Sequence, residues 1–164
     1  MVGEPVLVGL AEVQAINGAA MMTCLGLGSC MGVCALDPVA NVSGMAHIML
    51  PSSSSEIMMN KPGAFADTGI LELIESMEKL GAERSRMVIA VAGGASPALA
   101  KRSWDLGVLN AEAVARAIAE LGIKCIATDV VGSIGRTVTM LTETGHVVIR
   151  TAATGDSVLC NLRG

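Results

Sequence analysis

Between Val13 and Leu36 the chain carries its longest apolar stretch, broken at Asn17, Gly18, Thr23, Gly26, Gly28, Ser29, Cys30 and Gly32. Each glycine would cost a helix about 1 kcal/mol relative to alanine, and no run of about 18 uncharged apolar residues exists to span a bilayer. The stretch is strand and loop material. With 52% hydrophobic and 16% charged residues the chain is not disordered. Its 164 residues suit one domain, expected over 1–164, with a core that needs neither disulfide nor metal. Met1-Val2-Gly3-Glu4-Pro5 lacks the basic region of an export signal, so a soluble cytoplasmic protein is expected. Phe65 and Trp104 are the only aromatics and the net charge is −4, which argues against base stacking and phosphate tracking and hence against nucleic acid. Eleven methionines are expected to fill core gaps instead.

Strand-like runs at 4–10, 31–36 and 42–50 are followed by a serine-rich loop from Ser52 to Lys61. Pro38 to Asn41 reads as a hairpin loop, and 13–22 is ambiguous around a turn at Asn17-Gly18. Helical spacing starts near Asp67, with Ile70, Leu73, Ile74, Met77 and Leu80 inward and Gly81 as the stop. After a strand at 87–92, Asn110 is a plausible N-cap for a second helix that puts Val114, Ala117, Ile118 and Leu121 inward and closes at Gly122. Further strands are expected at 125–130, 137–141 and 147–151, with a short edge at 157–160. Two helices among about eight strands, mixed with hairpins, predict an α+β layered sandwich rather than a doubly wound parallel sheet.

The five cysteines form an odd set in a chain read as cytosolic, which makes a disulfide framework a poor expectation. Cys24, Cys30 and Cys34 fall close together. Glycines at 26, 28 and 32 bracket Cys30, placing it at a loop-to-strand junction with free amides that could polarise a carbonyl oxygen. His47 lies on the strand after the hairpin, within reach if the strands pair. A thiol with an ordinary pKa is mostly protonated at neutral pH, and a neighbouring imidazole corrects that. As residue types alone, Cys30 is equally a small core hydrophobe and His47 a hydrogen-bonded core histidine. Cys34, Cys125 and Cys160 read as core fillers. A zinc site from Cys24, Cys30, Cys34 and His47 would lack the usual ligand spacing, and no metal or organic cofactor is expected. There is no P-loop, and Gly93-Gly94-Ala95-Ser96 reads as a tight turn or a nest of amides.

Six ordered blocks resemble one family. They are Leu25-Gly26-Leu27-Gly28-Ser29-Cys30; Gly44-Met45-Ala46-His47-Ile48-Met49-Leu50-Pro51; Lys61-Pro62-Gly63 with Phe65-Ala66-Asp67-Thr68; Ala92-Gly93-Gly94-Ala95-Ser96; Asn110-Ala111-Glu112-Ala113-Val114; and Asp129-Val130-Val131-Gly132 with Gly135-Arg136 and Thr144-Gly145. Together, over about positions 4–152, they resemble the CheD family, the chemoreceptor glutamine deamidases of bacterial and archaeal chemotaxis. The resemblance implies a three-layer α/β sandwich with mixed, largely antiparallel sheets and two main helices. It also implies hydrolysis of glutamine side-chain amides on methyl-accepting chemoreceptors through a cysteine thioester. Carried over, Cys30 is the nucleophile, His47 the base, and amides near Ser29 and Cys30 the oxyanion donors. Chemoreceptor cytoplasmic helices are the implied partner, with a CheC-type phosphatase of CheY as a second. A regulatory module that docks without turnover is the alternative reading.

The family usually carries Thr six positions before the nucleophile, where it orients the histidine. Here Cys24 stands there and Thr23 beside it. Neighbouring strand side chains face opposite sides, so the third role falls to Thr23 through a bulge, to Cys24 through its sulfur, or to a backbone carbonyl. Asp129 and Arg136 read as a structural ion pair rather than as groups that orient the substrate, and Ser52 to Ser55 as a border of the substrate groove.

Overall fold

The glycine-broken stretch folds as three strands. In the computed structural model, which describes residues 3–53, 60–96 and 105–164, the chain opens with β1 (Glu4–Leu7), β2 (Val13–Asn17), β3 (Ala20–Leu27), β4 (Met31–Asp37) and β5 (Val42–Ile48). Helix α1 (Ala66–Lys79), β6 (Val88–Gly93), helix α2 (Leu106–Glu120), β7 (Lys124–Val130), β8 (Arg136–Leu141), β9 (His146–Thr151) and β10 (Gly155–Asn161) follow. Ten strands therefore stand among the described residues where about eight were expected. The difference lies at 13–27, where the turn at Asn17-Gly18 separates β2 from β3 and β3 runs on through Gly26.

Two five-stranded sheets stack. The outer sheet has the order β1-β3-β8-β9-β10 and the central sheet β2-β5-β4-β6-β7. Among the ten described strands, β1 with β3 and β6 with β7 pair in parallel and the other strand pairs are antiparallel. The period-2 alternation of strands assigns each face of the central sheet. Val33, Ala35, Ile89 and Val91 pack against Ile70, Leu73, Ile74 and Met77 of α1 and Val114 and Ile118 of α2. Cys34, Leu36, Met45, Ala90 and Ala92 point the other way, onto Met22, Cys24, Val138, Met140 and Ile149 of the outer sheet. The result is the expected α+β sandwich of three layers, outer sheet, central sheet and helices. Buried on both faces, β4 and β5 have no exposed residue.

Several local expectations need correction. Asn110 is not the N-cap of α2. Asp105 is, its carboxylate accepting from Val108 N at 3.3 Å, so Asn110 and Glu112 lie inside the helix and Asn110 is fully buried. Leu80 caps α1 on its exposed side instead of facing inward. Cys34 is buried and Cys160 half-buried, but Cys125 is exposed, because β7 is an edge strand with an outward face. Gly93 and Gly94, at φ +119° and +68°, make a tight turn whose amides are taken by protein carbonyls. Arg136 is buried, pairs with Asp129 at 3.3 Å and donates to the carbonyls of Asp129, Val131 and Ile134, a role in holding the 129–134 loop. Ser53 hydrogen-bonds the Asp67 carboxylate, while Ser54, Ser55 and Trp104 lie outside the described residues.

Candidate active site

Cys30 immediately precedes β4, and β4 pairs with β5 so that Gly32 stands opposite His47. Cys30 and Gly32 share a face, which places the thiol on the diagonal from His47. Cβ atoms at such positions lie within about 7–8 Å, inside the reach of long side chains. Both residues line one cleft of about 350 Å³, walled by Leu7, Val8, Gly9, Leu10, Thr23, Leu25 and Gly26. The cleft opens where the loop after β1 crosses from the outer sheet to the central one.

His47 is held from three directions. Its N–H donates to Glu12 O at 3.0 Å and its carbonyl accepts from Ala11 N at 3.1 Å. Its ring Nδ1 lies 3.0 Å from Val8 O. A carbonyl oxygen can only accept, so Nδ1 carries a hydrogen and donates it to Val8 O. Val8 is itself fixed, its N–H donating to Thr23 O at 2.9 Å as a continuation of the β1–β3 pairing. The ring is thus oriented by a backbone carbonyl, one of the three arrangements left open by the sequence.

Thr23 and Cys24 occupy opposite sides of β3, as the strand period requires. Thr23 walls the cleft, but its Oγ1 is shared with Thr139 Oγ1 at 3.0 Å. Cys24 points into the packing between the sheets with its Sγ 3.9 Å from Ala46 O, and no part of it is exposed. The register shift in β3 falls between Cys24 and Leu27, after both residues, and so does not turn Thr23 inward. Burial pushes the Cys24 thiol up to about 12, with the neighbouring Cys30 and Glu12 adding to the shift. Cys30 is half-buried, and burial raises its thiol above the ordinary 9.0. Proton removal by a base is therefore needed for attack near neutral pH.

The loop carrying the thiol is anchored on its far side. Three consecutive carbonyls are engaged: Gly28 O accepts from Ala95 N at 2.7 Å, Ser29 O from Asn110 Nδ2 at 2.8 Å, and Cys30 O from Gly94 N at 2.9 Å. Asn110 Nδ2 also donates to Met49 O at 2.9 Å, just past β5. Neither Val8 nor Asn110 stood out as a site residue in the sequence. A carbonyl contribution leaves no trace in residue type. Asn110 had a signal, a polar residue in register with Ala113, Val114 and Ala117 on the buried helix face.

Cys30 and His47 thus line one cleft, beside a loop whose Gly28, Ser29 and Cys30 carbonyls are taken up by protein donors on its far side. Comparison with known proteins identifies the family. Residues 49–151 match the family model described as CheD chemotactic sensory transduction. The chain is 38% identical over 152 residues to the chemoreceptor glutamine deamidase CheD of Thermotoga maritima, covering 93% of this chain and 95% of that protein. It is 38% identical over 151 residues to a probable chemoreceptor glutamine deamidase CheD of Caldanaerobacter subterraneus, covering 90% and 93%. A probable chemoreceptor glutamine deamidase CheD of the archaeon Archaeoglobus fulgidus is 34% identical over 156 residues, covering 94% and 98%. This chain belongs to the CheD family.

Proposed function

We propose that this protein hydrolyses side-chain amides of selected glutamines on chemoreceptor cytoplasmic helices, giving glutamate and ammonia. The observation that carries the reading is the shared cleft of Cys30 and His47, with His47 Nδ1 on Val8 O. The substrate class is supported by the names of relatives that match nearly their whole length.

His47 Nε2 takes the Cys30 proton as sulfur attacks the glutamine Cδ, and the carbonyl oxygen gathers negative charge beside the Ser29 and Cys30 amides. The tetrahedral intermediate collapses as His47 returns the proton to the departing nitrogen, leaving ammonia and a thioester. Water, deprotonated by His47, then attacks the thioester carbonyl and frees the glutamate carboxyl and the thiol. Thiol, imidazole, amide and water balance the reaction with no metal or organic cofactor. The leucines at the rim, Leu7, Leu10 and Leu25, are all more than half exposed and offer an apolar seat for the methylenes of the substrate side chain. A cytoplasmic location fits five free cysteines and the absence of any helix, among the described residues, long and apolar enough to cross a membrane.

The test is mass analysis of a chemoreceptor cytoplasmic fragment incubated with the protein. Each converted glutamine adds about 1 Da. Wild type is expected to produce the gain and Cys30→Ala to abolish it. A fragment, or a CheC-type phosphatase, that binds tightly while every glutamine keeps its mass would favour regulatory docking instead.

A further inference from the structure

Asn110 is fully buried on the inner face of α2, and its two amide hydrogens are divided between Ser29 O and Met49 O. Two carbonyl acceptors force the nitrogen, not the oxygen, to face them, which fixes the orientation of the amide. Asn110 Oδ1 has no partner among the described residues, so the donors alone hold the side chain in place. We infer that Asn110 is a positioning residue that aims the Cys30 backbone N–H at the developing oxyanion.

The reasoning is stereochemical. The peptide joining Ser29 to Cys30 is planar and trans, so its C=O and N–H point in opposite directions. Asn110 draws the Ser29 carbonyl toward the helix layer. The Cys30 N–H must then face away from that layer, toward the packing between the sheets where Cys30 itself lies. Of the three engaged carbonyls, Gly28 and Cys30 are held by backbone amides of Ala95 and Gly94, and Ser29 by a side chain. That peptide is the one a substitution can release. By holding Met49 O as well, Asn110 ties the nucleophile loop to the strand that carries His47.

The inference rests on Cys30 as nucleophile, and its test needs no receptor. Acylation of Cys30 by p-nitrophenyl acetate passes through a tetrahedral oxyanion; alkylation by iodoacetamide displaces iodide at sp³ carbon and forms none. Both are read at Cys30 by peptide mass in wild type, Asn110→Ala and the isosteric Asn110→Asp. Loss of an aligned donor is expected to slow acylation by about 10- to 100-fold while alkylation stays within about twofold. On a receptor fragment the same variants should lose kcat with KM little changed. Parallel loss of acylation and alkylation, or no loss of either, would overturn the inference, as would absence of a cooperative melt in both variants, which would assign Asn110 to the fold alone. Wild type that acylates at Cys30 yet leaves every receptor glutamine intact would count against the deamidase reading and not against this one.

Discussion

Cys24 and Cys30 stand six residues apart at the junction of the same two sheets, yet only one of them faces an opening. Cys24 lies mid-strand, where alternation turns it into the packing against Ala46 and burial drives its thiol up to about 12. Cys30 lies past the end of β3, where glycines let the chain leave the strand and bring sulfur to the cleft shared with His47. The difference is one of place in the strand rather than of residue type. The thiol opens onto the cleft where the ladder ends, and is a small buried hydrophobe where it continues.

The largest expected effect separates the two directly. Cys30→Ala should lower deamidation by about 10³-fold or more, as loss of a nucleophile does. Cys24→Ala should keep kcat within about threefold and show instead in the melting curve, at about 1 kcal/mol for a lost buried atom. A Cys24→Ala protein as inactive as Cys30→Ala would erase the distinction. Next in size, His47→Gln should cost about 10²–10⁴ in kcat, the range for a removed acid–base group. Chemical labelling sharpens the contrast further. Because burial raises the Cys30 thiol above 9.0, its neutral form prevails below that value and its alkylation should still be climbing with pH there. Cys24 should stay unlabelled in the folded protein at the same pH and react once it is denatured.

The smallest effect concerns the residue that departs from the family pattern. With the imidazole already held by Val8 O, a hydroxyl at position 24 has no vacant role at Nδ1. Cys24→Thr should therefore change kcat by less than about threefold. A rise of about tenfold or more would mean that position 24 orients the ring after all.

That Cys30 and His47 come to one cleft was legible in the sequence because the strands that place them follow from alternation. The helices were legible from the spacing of Ile70, Leu73, Ile74 and Met77, and of Val114, Ala117 and Ile118. What orients His47 was not, since a main-chain carbonyl carries no residue signature. Asn110 was visible but read as a cap, because asparagine favours helix starts; Asp105 supplied the cap, and tertiary packing placed Asn110 inside. Cys125 was read as core because a strand-like apolar run does not reveal that its strand lies at a sheet edge.

The pairing of sulfur with imidazole is tested most directly by the rate of Cys30 alkylation against pH in wild type and His47→Gln. Near pH 7.5 wild type should react about tenfold faster or more, and the two curves should converge at alkaline pH above the ordinary thiol value of 9.0, since burial raises the Cys30 thiol. Superimposable curves across the whole range would show that His47 takes no part in activating Cys30 and would contradict the mechanism.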